Sequence, residues 1–251
     1  MTVSGVTKNM WTRRQSGLYS PGRRNFPIDG LVLYAPLWHP EKSGSPFNAW
    51  DIVNGAVHAC TVTGATWGIT GRTFDGTDDL IVGDTNIGIS GAGNRTYLVW
   101  ANPAAESLAN DKITNILGTG WAAPDYLDTA GTGNVFSIAT FGWTTKAGQW
   151  AAWGKSADTE SSGLLTAGTS YLLGATYDGT NVQLYQNGVA DNVEAHTLDL
   201  INTPPLMGRK VGVAADRLWY KGIVGEAWIY NRVLSAGEIL HIYEITKWRY
   251  L

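Results

Sequence analysis

The most informative stretch of this 251-residue sequence is GIVGEAWIYNRVLSAGEI, residues 222–239. Its first part, Ile223–Tyr230, is an almost continuous run of apolar, β-branched and aromatic residues, which predicts a buried strand. Ser235–Glu238 then fits a capping box, in which the serine hydroxyl and the glutamate carboxylate bond the first free amides of a helix. Apolar residues recur at helical spacing from Ile239 to Tyr243. We therefore predict that the chain ends in a buried strand followed by one short helix.

The residues before this stretch repeat the strand pattern without a helix. Short apolar runs alternate with turn residues, and Asp178-Gly179 and Asn187-Gly188 are dipeptides favoured in tight hairpins. The clearest predicted strands are Leu31–Ala35, Leu80–Val82, Thr96–Trp100, Val135–Phe141, Tyr171–Tyr177 and Val182–Tyr185. Strands at this spacing indicate a β-sandwich, jelly roll or barrel.

Composition supports an all-β class. Charged residues make up 16% of the chain, whereas glycine occurs 31 times and tryptophan 12 times. A helical bundle needs abundant Glu, Lys, Ala and Leu, and a disordered chain has few aromatic residues, so both classes are excluded. The single cysteine, Cys60, excludes an intramolecular disulfide and a cysteine-rich zinc site. No apolar run approaches the roughly 18 residues of a membrane-spanning helix, so we expect no membrane insertion.

The net charge of −3 hides an asymmetry between the N-terminal residues and the rest of the chain. Residues 1–29 hold five basic residues and one acid, a net charge of +4, so the remainder carries −7. Glycine and proline interrupt any regular pattern there, which predicts an extended arm at 1–29 and one domain at 30–251. The arm either folds back on its own domain or docks on a neighbouring subunit. The candidate docking residues are Trp11, Arg13, Arg14, Arg23 and Arg24. The overall charge predicts no nucleic-acid partner.

Four segments taken together resemble the laminin-G-like branch of the concanavalin A-like lectin/glucanase superfamily. They are residues 30–37, 71–82, 177–189 and 222–239. The resemblance implies a jelly-roll sandwich of two curved antiparallel sheets, and it does not cover the arm. It also implies a binding module for glycans or proteins, with glycoside hydrolases among its relatives. Members often bind a calcium ion that ties the edge of the sandwich.

The resemblance implies that Asp51, after the first strand, and Glu226, in the final motif, are calcium ligands. The family more often has Asp-Glu at the second position, where this chain has Gly225-Glu226, so one expected carboxylate is missing. Calcium prefers several carboxylate and carbonyl oxygens, which makes this loss important. The alternative is that Asp51 caps a turn and Glu226 pairs with a nearby cation such as Arg232.

Four tryptophans, Trp121, Trp143, Trp150 and Trp153, lie within a 33-residue stretch that the four segments do not cover. Exposed aromatic rings bind the flat C–H faces of sugars or mark a protein interface, so these four are candidates for glycan or partner binding. The alternative is that they fill a wide core. Trp150 and Trp153 are three residues apart and would face opposite sides of a strand, so at most one is core if the strand has one solvated face.

The sequence shows no catalytic motif. Glycoside hydrolysis needs two carboxylates, and the Glu-x-Asp-x-x-Glu pattern of laminarinase-type relatives is absent. There is also no histidine pair at metal-ligand spacing, no Gly-x-Ser-x-Gly elbow and no phosphate loop. We therefore expect no enzymatic activity. A divergent glycosidase whose carboxylates come from different strands is the least favoured alternative.

These observations favour a non-catalytic virion structural protein, either a decoration or an attachment protein. The N-terminal residues lack the apolar core of a secretory signal, so we expect synthesis in a host cytoplasm and assembly into a virus or phage particle. The expected partners are other virion proteins or the chain's own copies, docked through the arm in a homo-oligomer, and cell-surface glycans bound by the sandwich. The alternative is a free carbohydrate-binding module or lectin that works outside the cell.

Overall fold

The computed structural model describes residues 25–51, 53–122, 127–128, 133–142, 146–209 and 219–251. The first nine strands are β1 (Leu31–Pro36), β2 (Phe47–Asp51), β3 (Ala56–Thr63), β4 (Thr66–Gly68), β5 (Gly71–Asp75), β6 (Leu80–Gly83), β7 (Arg95–Pro103), β8 (Ile113–Thr119) and β9 (Trp121–Ala122). The next nine are β10 (Leu127–Asp128), β11 (Phe136–Phe141), β12 (Trp150–Trp153), β13 (Thr159–Glu160), β14 (Tyr171–Tyr177), β15 (Asn181–Gln186), β16 (Val189–Ala195), β17 (Leu206–Met207) and β18 (Lys221–Tyr230). Helix α1 spans Ala236–Thr246, and short 3₁₀ turns lie at Pro40–Lys42, Ala105–Leu108 and Lys247–Arg249. Across the described ranges, no helix has the length and apolar character needed to cross a membrane.

Fourteen strands form one continuous antiparallel path of hydrogen-bonded neighbours. Its order is β13-β12-β11-β8-β17-β6-β3-β2-β1-β18-β7-β14-β15-β16, with β5 attached to β18 and β4 to β5. The path curves into two layers that enclose the main core. Trp150 of β12 reaches across this core, and its Nε1 donates to Gln186 Oε1 of β15 at 3.1 Å. The predicted all-β sandwich is confirmed.

The sequence-predicted strands are present, with small shifts at their ends. Strand β14 occupies the predicted residues Tyr171–Tyr177, and hairpins form at the predicted Asp-Gly and Asn-Gly turns. In the second hairpin, Asn187 and Gly188 have φ values of 54° and 82°. A two-residue type I′ turn requires positive φ at both positions, which is why Asn-Gly is favoured there.

Helix α1 covers the outer face of the layer that contains β1, β18 and β7. Its capping box is formed as predicted, with Ser235 Oγ accepting from Glu238 N and the Glu238 carboxylate accepting from Ser235 N. Ile239 and Ile242 are buried against Trp100 of β7. Because the main core covers one face of this layer and α1 the other, β18 is buried on both faces, which explains its almost continuous apolar sequence.

Candidate functional site

Of the four tryptophans predicted to bind a glycan or a partner, the three that the structure describes are buried. Trp121, Trp150 and Trp153 are 2%, 0% and 6% exposed, so the prediction of an exposed platform is wrong for these three. Trp150 and Trp153 do face opposite sides of β12, but both sides are covered, one by the main core and one by a separate buried cluster. In that second cluster, Trp153 stacks on Trp121 with ring centroids 6.2 Å apart. Trp143 lies outside the described residues.

The arm is described only at its end. The predicted docking residues Trp11, Arg13, Arg14, Arg23 and Arg24 lie outside the described residues, so docking by the arm stays a prediction. Residues 25–29 pack on the domain. The Phe26 ring lies 4.8 Å from the Tyr34 ring, and the Tyr230 hydroxyl donates to the Pro27 carbonyl at 2.9 Å.

The two acids that the resemblance assigned to calcium lie on opposite faces of their layer. Trp50 stacks on Tyr34, and the Tyr34 hydroxyl donates to Glu226 Oε1, so all three share the face under α1. Asp51, one residue beyond Trp50, therefore faces the other way. Its Oδ1 and Oδ2 accept from Asn54 N and Nδ2 at 3.0 and 2.6 Å, the turn-capping role predicted as the alternative. The structure does not bring the two predicted ligands together, and calcium binding stays a prediction of the resemblance alone.

Glu226 is the centre of a buried polar network. Besides the tyrosine hydroxyl, its Oε1 accepts from Trp38 Nε1 at 2.6 Å and from Arg249 Nη1 at 2.9 Å. Burial raises the pKa of Glu226, and the charge of Arg249 opposes this rise. The cation partner is therefore Arg249, whereas Arg232, the partner named from the sequence, binds Glu238 at 2.7 Å. This network ties the C-terminal residues to the sheet.

A β-bulge interrupts β18 at Gly225–Glu226. Val224 pairs with Ala101 of β7 and Ala227 pairs with Val99, so β18 takes three residue steps where β7 takes two. On the opposite edge of β18, the partner strand changes from β5 to β1 at the same place. A bulge bends its strand and changes the direction of nearby side chains, so this is a point where the sheet can form a site.

Tyr250 packs against this bulge. A Cβ atom on Gly225 would come within 2.4 Å of Tyr250 Cε1, so glycine is the residue that leaves room for the ring. The Tyr250 ring stacks on Trp100 at 4.4 Å, and Tyr243 of α1 also stacks on Trp100, at 5.8 Å. Trp100 Nε1 donates to Thr246 Oγ1 at 2.8 Å, which holds the indole in place. An aromatic ring thus occupies the place beside residue 225 where the resemblance implies a carboxylate.

A cleft of about 170 Å³, here named the Tyr250 cleft, opens beside this ring. The residues that shape it include Thr70, Trp100, Asn102, Ser170, Ile223 and Tyr250. Asn102 Nδ2 donates to the Gly168 carbonyl at 3.0 Å and to Ser170 Oγ at 3.1 Å, so the polar groups are held by each other. The cleft combines aromatic surface with neutral polar groups, and none of the described residues that line it carries a charge.

Trp248, two residues before Tyr250 in the chain, is the most exposed tryptophan of the described residues, at 68%. The Arg249 guanidinium lies 4.6 Å from its ring and 5.8 Å from the Tyr250 ring. Neither Trp248 nor Tyr250 was predicted from the sequence as a site residue. The signal that could have indicated them is the run Lys247–Tyr250, KWRY, which places aromatic and basic residues directly after the predicted helix.

Comparison with known proteins gives a family match over residues 74–240. The matching family is Laminin_G_3, described as concanavalin A-like lectin/glucanases superfamily. A search of curated protein sequences gives no significant match.

Solved structures with the same fold include toxin domains and an enzyme. The receptor binding domain of botulinum neurotoxin D is 13% identical, with a TM-score of 0.57 over 86% of this chain and 53% of that chain. The serotype D ligand binding domain in complex with N-acetylneuraminic acid is 12% identical, with a TM-score of 0.58 over 87% of this chain and 52% of that one. Trypanosoma rangeli sialidase is 15% identical, with a TM-score of 0.61 over 96% of this chain and 38% of that one.

This chain spans about half the length of those toxin domains and less of the sialidase. At such low identities the likeness shows the fold alone. The family match is stronger evidence, since it covers residues 74–240, well over half of the chain. The chain therefore belongs to the laminin G-type family of the concanavalin A-like lectin/glucanase superfamily.

Proposed function

We propose that this chain is a carbohydrate-binding domain without catalytic activity, and that the Tyr250 cleft is its glycan site. The observation that carries the proposal is the meeting of the stacked Trp100 and Tyr250 rings with the Asn102 amide and the Ser170 hydroxyl in one cleft. A sugar ring presents flat C–H surface and hydroxyl groups. Apolar walls with a few placed polar groups suit such a ligand.

The lining of the cleft supports binding without hydrolysis. Most glycosidases use two carboxyl groups, about 5 to 10 Å apart, on either side of the bond that they cleave. The described residues around the cleft supply none. Glu226, which follows Gly225 in the chain, is 1% exposed, and its Oε1 accepts three hydrogen bonds. It therefore serves the C-terminal network and is not placed to protonate a leaving group.

One structural neighbour supports a sugar as the class of ligand. This neighbour, of which the matched fold makes up 52%, was solved in complex with N-acetylneuraminic acid. Glycan binding is proposed for this chain on the strength of its own cleft, since the neighbour shares only 12% of its residues.

The setting that we propose is a virion, assembled in a host cytoplasm, on which the domain acts as a decoration or attachment protein. Residues 1–29 would dock on other virion proteins or on neighbouring copies. Charge supports this, because the net +4 of these residues complements the −7 of the remaining chain. A free lectin outside the cell is the second candidate, and it would use the same cleft without needing the arm.

Glycan-array binding by the purified chain tests the glycan site. We expect Tyr250→Ala to weaken binding by at least about tenfold, equivalent to ~1.4 kcal/mol. Tyr243→Ala is the matched control, because Tyr243 also stacks on Trp100 but does not line the cleft. Near-UV circular dichroism checks that both variants fold. Equal losses in the two variants, or no binding by the wild-type chain to any glycan, would overturn the assignment.

Mass spectrometry of purified particles tests the setting. We expect the chain to copurify with capsid or tail proteins, and we expect deletion of residues 1–29 to abolish this association while glycan binding persists. A truncated chain that still assembles normally would rule out docking by the arm.

A further inference from the structure

We infer that the Tyr250 cleft selects a single uncharged sugar unit and discriminates against acidic and amino sugars. The inference rests on the proposed function, since it names the ligand class of the same site. It also separates this chain from the neighbour that was solved with an acidic sugar.

No charged side chain lines the cleft in the part of the chain that the structure describes. The polar side chains there are Thr70, Asn102, Ser170 and Tyr250, all neutral around pH 7. A sugar carboxylate buried against them would lose its hydration without gaining a cation, and a sugar ammonium would find no carboxylate. A hydroxyl group loses far less on transfer and regains hydrogen bonds from neutral partners.

The hydrogen bonds of Asn102 and Ser170 determine which of their atoms can contact a ligand. Asn102 donates both of its contacts through Nδ2, to the Gly168 carbonyl and to Ser170 Oγ, so its Oδ1 is the atom that can accept from a ligand. Ser170 Oγ accepts from Asn102, which leaves its own hydrogen to donate. An acceptor beside a hydroxyl donor matches a sugar hydroxyl, which both donates and accepts. A carboxylate, which only accepts, would face the Asn102 oxygen.

The Arg249 guanidinium lies near the cleft but is already paired with an acid. Arg249 lies 5.8 Å from the Tyr250 ring, but its Nη1 is bonded to the buried Glu226 carboxylate at 2.9 Å. The two charges offset each other, and the guanidinium is held over the Trp38 ring at 3.7 Å. Because Glu226 already neutralises Arg249, the pair offers an acidic sugar little net positive charge.

The size of the cleft limits the ligand to one ring. Its volume of about 170 Å³ is below the roughly 300 Å³ at which pockets for drug-sized ligands begin. A ligand of this cleft is therefore smaller than a drug-sized molecule, which suits one pyranose unit, and further units of a glycan would lie outside, towards solvent.

Matched sugar pairs test the inference. Saturation-transfer NMR on the full chain would compare methyl glucoside, galactoside and mannoside with the corresponding methyl uronates, the 2-amino sugars and N-acetylneuraminic acid. We expect at least one neutral glycoside to bind about tenfold or more tightly than its charged counterparts, with little change on adding salt. Binding should be lost in Tyr250→Ala and kept in Tyr243→Ala.

The outcomes separate this inference from the proposed function. If an acidic or amino sugar binds as tightly as its neutral counterpart, the selectivity is wrong while glycan binding stands. If neutral binding survives in Tyr250→Ala, the ligand sits elsewhere and the inference fails. If no sugar binds here and no glycan binds on the array, both the proposed function and the inference fail.

Discussion

The ring of Tyr250 lies directly on the backbone of Gly225, so close that a Cβ atom at residue 225 would come within 2.4 Å of Tyr250 Cε1. The two residues are distant in sequence, and a β-bulge and the C-terminal helix bring them together. In the resemblance that the sequence shows, this position more often carries an acid. Here the missing Cβ admits an aromatic ring, and the ring forms one wall of the cleft.

Gly225→Ala should therefore displace Tyr250 and weaken both folding and sugar binding. We expect a loss of about 1–3 kcal/mol in the free energy of unfolding, the usual result of forcing extra volume into a packed contact. Urea denaturation followed by tryptophan fluorescence measures it. Gly163→Ala is the control, because nothing lies within 4 Å of a Cβ there and the change should stay within about 0.5 kcal/mol. A Gly225→Ala protein with wild-type stability and binding would show that the ring does not rest on the bulge.

Trp153 and Trp248 should differ sharply in their effect on stability. Trp153→Ala removes a buried ring stacked on Trp121 and should lower the free energy of unfolding by about 3–5 kcal/mol. Trp248 is 68% exposed, so Trp248→Ala should stay within about 0.5 kcal/mol. Chemical denaturation of the two variants side by side decides the matter. Equal losses of stability in the two variants would contradict the burial of Trp153.

Arg249→Met should leave the Glu226 carboxylate buried without its cation. Near neutral pH we expect a loss of about 3–5 kcal/mol, because a buried charge is left uncompensated. The double variant Glu226→Gln with Arg249→Met should recover much of this loss, since it removes both charges.

The pH dependence of Arg249→Met follows from the pKa of Glu226. Burial raises this pKa above its ordinary value of 4.5 and Arg249 opposes the rise, so removing Arg249 should raise it further. A carboxyl group whose pKa is raised by folding stabilises the folded protein fully when the pH is below its unfolded pKa. This contribution is lost as the pH rises through the folded pKa. Melting temperatures across about pH 4–8 should therefore show the variant closest to wild type at the acidic end. A deficit that grows towards low pH would contradict this assignment.

The contribution of Glu238 to stability should depend on pH in the opposite direction to that of Glu226. Hydrogen bonds with Arg232 and with the capping residue Ser235 hold the pKa of Glu238 at about 2, against an ordinary value of 4.5. A carboxyl group whose pKa is lowered by folding stabilises the folded protein when the pH is above its unfolded pKa. For Glu238 this contribution is lost as the pH falls from 4.5 through about 2. Glu238→Gln should cost about 1–2 kcal/mol at pH 7 and remove this acid dependence. Denaturation midpoints of both proteins between pH 2 and 7 measure the difference. Parallel curves would show that the Glu238–Arg232 pair contributes nothing to the pH dependence of stability.

Much of the fold could be predicted because its signals are local. A strand such as Tyr171–Tyr177 is readable from its apolar run and its flanking turns, and the capping box at Ser235 from two residues three apart. The candidate site could not be read in this way. The residues that form it come from five separate places in the chain, and neither Asn102 nor Tyr250 lies in a recognisable motif.

The sequence by itself determined the all-β class, the hairpin turns and the capped C-terminal helix, because each depends on the spacing and chemistry of neighbouring residues. Only the tertiary structure decided which faces are covered. Both sides of β12 are buried, so Trp150 and Trp153 belong to cores, and strand alternation places Asp51 and Glu226 on opposite faces. The cleft itself exists because the bulge at Gly225 meets Tyr250, which follows α1. That contact depends on how distant parts of the chain pack together.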